Sequence, residues 1–145
     1  MQLTAGELIS YLSNGYAFMP AVLDISKGRK AENFIYADCF GVDVDSGLTL
    51  DAAFDIPETS KAIAIYTTPS HTKENHRFRI IFPFSGRVSC PIEYRETVEY
   101  FTKKYGADEQ CKDVSRFFFG SSEGKFLNIH TGETIRWNEE EGSND

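Results

Sequence analysis

Ten residues, Tyr36-Ala-Asp-Cys-Phe-Gly-Val-Asp-Val-Asp45, constrain this chain more than any other stretch. Phe40, Val42 and Val44 alternate with Gly41, Asp43 and Asp45, the period of two of a strand that buries one face. With the apolar set on the core, Asp43 and Asp45 stand side by side on the open face, roughly 7 Å apart at Cα. Carboxylates that close repel and raise each other's pKa unless a cation lies between them. Mg²⁺ is held by one or two carboxylates together with substrate phosphates. A solvated strand end reads the same way, so the meaning of Asp-x-Asp depends on what else reaches that face.

The 145 residues are 41% hydrophobic and 14% aromatic, enough for one domain with a real core, expected over residues 1–138. No apolar run nears the length of a membrane span, and no secretory leader pattern opens the chain. Cys39, Cys90 and Cys111 are an odd number at unrelated spacings, which fits neither a disulfide framework nor a zinc knuckle. A reducing cytoplasm is the expected setting. The net charge is −7, but residues 139–145 carry four acids and no base and are expected to be a disordered acidic tail. The body is then only mildly acidic, which argues against non-specific coating of DNA while leaving room for a local basic groove.

Thr4-Ala5-Gly6-Glu7 is a capping box ahead of Leu8, Ile9 and Leu12, and Asn14-Gly15 stops that helix. Ala17 to Ile25 is apolar enough for one strand, with Pro20 pointing to an edge. Arg29 and Lys30 fall in a basic turn, a solvated loop or a phosphate contact. Thr49 caps a short helix through Phe54, and Pro57 ends it. Lys61 to Thr67 and Arg77 to Phe82 are strands of a hairpin joined by the polar turn from Thr68 to Asn75. Phe78, Ile80 and Phe82 share one face of the returning strand, and Arg77 and Arg79 the other. Two such arginines form a surface salt-bridge ladder or grip phosphate, which their planar fork suits. Pro91 opens a helix whose face is Tyr94, Val98, Phe101 and Tyr105, and Gly106 closes it. Ser115 to Gly120 is a further strand. Lys125 to Ile129 and Glu133 to Trp137 flank a turn at His130-Thr131-Gly132. The sum is an α+β fold: an antiparallel-rich mixed sheet with helices on one face and a polar open face on the other.

Along the chain that open face collects Asp43 and Asp45, then Ser70, His71 and His76 with Arg77 and Arg79, then Asp108 or Asp113 ahead of Arg116. Carboxylates for metal, a histidine-bearing turn and several arginines are the parts needed to polymerise nucleotides. In Phe40-Gly-Val-Asp-Val-Asp45, in Ala64-Ile-Tyr-Thr-Thr-Pro-Ser-His-Thr72 leading to Arg77-Phe-Arg-Ile-Ile-Phe-Pro83, and in Asp108 followed by Arg116-Phe-Phe-Phe-Gly120, the chain resembles the archaeo-eukaryotic primase superfamily. The resemblance is to the primase-polymerases of phages, plasmids and integrated elements, and it runs in order from Phe34 to Ile135.

That resemblance implies a catalytic core with an RRM-like sheet, and Asp43 and Asp45 as ligands of Mg²⁺ or Mn²⁺. The family's third acid falls on Asp108, with Asp113 as rival. Ser70 with His71 or His76 would lie by the incoming triphosphate, His71 being favoured for its Ser-His-Thr setting. Arg77, Arg79 and Arg116 would contact phosphates, whereas Cys111 reads as a packing residue. The partners implied are nucleoside triphosphates, a single-stranded DNA template and a helicase domain or protein, in replication of a mobile element and with no membrane. The chain is shorter than most members, as a catalytic core cut from a larger replication protein would be. Two other readings compete: a non-catalytic origin- or single-strand-binding domain of an initiator, and a metal-dependent nuclease. The first needs exposed stacking aromatics, and the second lacks a lysine suitably spaced from the acids.

Overall fold

The computed structural model describes residues 5–24, 26, 31–112, 118–120, 125–128 and 133–136. Helix α1 spans Ala5–Ser13, and Gly15, at a φ of 86°, turns the chain out of it. One apolar strand is expected over Ala17 to Ile25, but two short ones form, β1 (Ala17–Phe18) and β2 (Ala21–Leu23), in different sheets. Pro20 between them is buried and has no N–H to donate to a ladder, so the chain changes sheets there.

β3 (Phe34–Val44) is the long strand of the opening motif. α2 (Leu50–Phe54) follows, with the Thr49 hydroxyl accepting from the Ala52 N–H at 3.1 Å as the N-cap. Pro57–Lys61 is a single 3₁₀ turn, which takes Lys61 out of the expected strand and leaves β4 as Ala64–Thr67. β5 runs Phe78–Val88, six residues past the expected end. α3 is Pro91–Tyr105, closed by Gly106 at a φ of 60°. β6 (Phe118–Phe119), β7 (Lys125–Asn128) and β8 (Glu133–Arg136) complete the described elements.

The main sheet has the order β2-β3-β5-β4-β7-β8, with each described neighbour pair antiparallel. On one face Phe40, Val42, Val44, Phe78, Ile80 and Phe82 are buried against α3, where Tyr94, Val98 and Tyr105 point inward. Phe101 stacks into the same layer, 4.7 Å from Phe82 and 5.0 Å from Phe40 between ring centroids. The buried Thr59 hydroxyl, 2.6 Å from both the Ala53 carbonyl oxygen and the Tyr105 hydroxyl, ties α2 to the end of α3. α1 does not join that layer. It packs Leu8, Ile9 and Leu12 over Ala64, Tyr66 and Ile81 on the opposite face, so that face is polar only toward the C-terminal ends of β3 and β4.

The strand predicted over Ser115 to Gly120 also differs. Its described part, β6, pairs with β1 outside the main sheet, and the Gly120 N–H donates to the Tyr16 carbonyl at 2.9 Å. Phe118 is thereby laid over β3 at Gly41, where a Cβ would stand 2.8 Å from its ring. A glycine here is a packing requirement. Gly41→Ala is expected to lower stability by about 1–3 kcal/mol through overpacking, read from urea denaturation. Gly86→Ala, in open space, should change it far less.

Candidate active site

Asp43 is the last residue but one of β3 and Asp45 the first beyond it. The alternation predicted for this strand holds, with Phe40, Val42 and Val44 in the core. The openness of the other face does not, because Asp43 is only 4% exposed. Both main-chain groups of Asp43 point away from β5: its N–H donates to Cys111 Sγ at 3.2 Å, and its carbonyl accepts from Asp108 N–H at 2.9 Å. Its pairing with Arg79 across β3 and β5 is therefore of the non-hydrogen-bonded kind, in which opposed side chains approach most closely. Arg79 Nε lies 3.2 Å from Asp43 Oδ1. Arg79 also faces Tyr66 on β4 and hydrogen-bonds to its hydroxyl, so Asp43, Arg79 and Tyr66 make one row across three strands.

Asp108 reaches the row through the end of α3. Gly106 takes the left-handed conformation that favours glycine, and the N–H groups of Gly106 and Ala107 return to the carbonyls of Lys103 and Thr102. The chain then turns back onto β3. Asp43, Asp45 and Asp108 each offer a carboxylate oxygen within 4.8 Å of the other two. The first two are adjacent by strand period, whereas the third arrives from 63 residues beyond Asp45.

The electrostatics follow from burial. Burial pushes the Tyr66 hydroxyl up to about 12; Arg79 pulls it the other way and Asp43 adds to the rise. Burial acts to lower the Arg79 pKa, but Tyr66 and Asp43 outweigh it and the net shift is upward, so the guanidinium stays charged. The Arg79 guanidinium offsets part of the negative charge of the three carboxylates. An all-oxygen, all-carboxylate donor set suits a hard divalent ion such as Mg²⁺ or Mn²⁺, and the neighbouring sulfur is taken up in a hydrogen bond to main chain. The residues fit the ion expected from the sequence.

The turn after β4 is built beside the acids. Arg77 Nε donates to the Asp45 carbonyl at 3.1 Å and Asn75 Nδ2 to the same oxygen at 3.3 Å. Thr72 and Asn75 brace the turn internally, and the His71 N–H donates to the Thr68 carbonyl. The two histidines have rings 4.8 Å apart between centroids and do different things. His71 Nδ1 accepts the Arg77 N–H at 3.0 Å, which leaves Nε2 as the protonated nitrogen of the neutral ring. His76 Nδ1 accepts the Leu50 N–H at 2.9 Å, one of the amides that the first turn of α2 cannot satisfy itself. Ser70 is exposed in the same turn. Asp113, Arg116, Arg29, Lys30 and the acidic tail lie outside the described residues.

Tyr66 and Cys111 were not anticipated as parts of this site. The strand register carries a signal for Tyr66, which shares a face with Ala64 rather than with Ile63 and Ile65. Cys111 packs, fully buried, as its sequence setting implies, but its bond to Asp43 has no local signature. Among the described residues no helix is long and apolar enough to cross a membrane.

Neither a family model nor a curated protein sequence matches the chain. Among solved structures, the chain is similar to the AEP domain of the primase-polymerase (PrimPol) of cyanophage S-2L. The TM-score is 0.59 at 13% identity, over 94% of this chain and 75% of that one. The likeness establishes an α+β fold of the primase-polymerase type.

Two measurements test the row. Breaking a partly buried ion pair from one side costs about 3–5 kcal/mol, so Asp43→Asn and Arg79→Met should each destabilise strongly. The double variant should lose less than their sum in a double-mutant cycle by urea unfolding. Tyr66 titrates near 10 when unfolded and about 12 when folded, so the stability it contributes is complete below pH 10 and is lost as pH rises toward 12. Relative to its own stability at pH 9, Tyr66→Phe should lose less than the wild type by pH 11.

Proposed function

We propose that this chain is a nucleotidyltransferase, a DNA primase or primase-polymerase. It adds nucleotides from nucleoside triphosphates on a single-stranded DNA template during replication of a phage, plasmid or integrated element. One observation carries the reading: two carboxylates at the end of β3 and a third from a distant segment meet within 4.8 Å on a fold similar to that of a phage primase-polymerase domain.

In this reading Asp43, Asp45 and Asp108 hold Mg²⁺ or Mn²⁺. The bound ions would supply charge neutralisation at the triphosphate and activation of the attacking 3′-hydroxyl. Arg79, with its Nε 3.2 Å from Asp43 Oδ1, holds that carboxylate in the cluster, and its side chain is engaged there. Phosphate binding therefore falls to His71, which presents Nε2–H, and to Arg77, with Ser70 at the turn. His76 holds the start of α2 against that turn. Arg116 remains a phosphate contact by resemblance, and a template strand and a helicase domain or protein remain the implied partners.

The test is Mn²⁺-dependent incorporation of labelled nucleotides on a single-stranded template, with and without a primer. Incorporation should fall by at least about 100-fold in Asp43→Ala/Asp45→Ala, the scale of losing charge stabilisation of a transition state. His71→Ala should raise the KM for nucleotide, whereas His76→Ala should act mainly on the melting temperature. Silence of the wild type, with triphosphate and Mn²⁺ binding retained and lost in the double variant, would mean that template must be held by another domain. Shortening of the strand would identify a nuclease. Absence of incorporation and of binding would leave the non-catalytic domain.

A further inference from the structure

We propose that Cys111 is a positioning residue that sets the spacing between the first and third carboxylates of the site. The inference rests on the reading of Asp43, Asp45 and Asp108 as a metal-holding cluster, and it concerns what keeps the cluster assembled.

β2 pairs with β3 between Phe34 and Ala37, so among the described residues no strand lies at Asp43 on the side of β3 that faces away from β5. The segment from Asp108 to Cys111 takes that place. Asp43 accepts from the Asp108 N–H at 2.9 Å and donates to Cys111 Sγ at 3.2 Å, and the Cys111 N–H donates to the Asp108 carbonyl at 3.0 Å. These three bonds close a ring that contains the main chain of both acids. Cys111 is fully buried, so its sulfur gives a buried amide an acceptor where water does not. It also gives the segment an attachment to β3 beyond the Asp108 N–H bond. Removing it would loosen the segment, and the third carboxylate would move with it. The thiol touches no ligand in this role; it acts through the two acids.

The effect should appear in metal affinity. Losing a partner that orients a metal ligand typically weakens binding about 10–100-fold. Mn²⁺ binding to the full chain is read by electron paramagnetic resonance of the free ion, for the wild type and for Cys111→Ser, Cys111→Ala and Cys111→Val. Serine keeps an acceptor and should stay within about 3-fold of the wild type. Alanine and valine, with opposite effects on volume and no acceptor, should both weaken binding about 10-fold or more while remaining folded by circular dichroism. A purely structural cysteine would lower the melting temperature without sorting the variants by acceptor. Wild-type affinity in both alanine and valine variants overturns the proposal, even where Asp43→Ala/Asp45→Ala abolishes binding and so upholds the cluster. Absence of Mn²⁺ binding by the wild type overturns both together. Should alanine and valine variants not fold, amide hydrogen exchange of Asp43 in the wild type decides: strong protection is expected, and exchange at the rate of an open loop overturns the inference.

Discussion

Three carboxylates within 4.8 Å of one another, one of them buried, are an unfavourable arrangement that the rest of the molecule has to hold. Coulomb repulsion drives them apart, and burial removes the water that would screen it. The fold answers with the charge of Arg79 and several fixed dipoles. Arg79 faces Asp43 across a non-hydrogen-bonded pair, and Tyr66 steadies Arg79 from the third strand. The main chain of Asp43 is used on its other side to anchor the segment bearing Asp108. The remaining negative charge leaves a cluster that could hold a divalent cation.

The two layers around the sheet have different tasks. The aromatic layer under α3 is conventional core, and it makes β3 and β5 rigid enough to serve as a floor. On the opposite face, α1 and the β1–β6 ribbon cover the half of the sheet away from the acids. Gly41 lets the tip of the Phe118 ring approach β3 one pleat from Asp43. The polar residues are thus gathered at one end of the sheet. That confinement places the histidine-bearing turn, tied to the Asp45 carbonyl through Asn75 and Arg77, beside the acids.

The arginines and histidines show how tertiary pairing sorts residues that look alike in sequence. Arg77 and Arg79 share a strand face and both suit phosphate, yet Arg79 lies directly opposite Asp43 and Tyr66 and is spent on them. His71 and His76 both sit by the turn, yet one is oriented by the Arg77 amide and the other satisfies the first turn of α2. A lone sequence cannot separate these roles, since each depends on which backbone group happens to lie opposite.

Local chemistry was legible where local rules decide it. The period of two placed Phe40, Val42 and Val44 inward, Thr49 capped α2, and Gly106 ended α3, because each depends on residues a few positions apart. The ordered motifs also pointed to Asp43 and Asp45 with a later acid, Asp108 or its rival Asp113. What sequence missed was non-local: Pro20 switching the chain between sheets, α1 crossing to the site face, and Asp43 buried where an open face was expected. The sequence by itself determined the alternation of the central strand, the helix caps and the acidic motif, since short-range periodicity and capping carry that information. Only the tertiary structure decided which acid is buried, which cation answers it and that Cys111 joins the first acid to the third, because those depend on strand register and on contacts between distant segments.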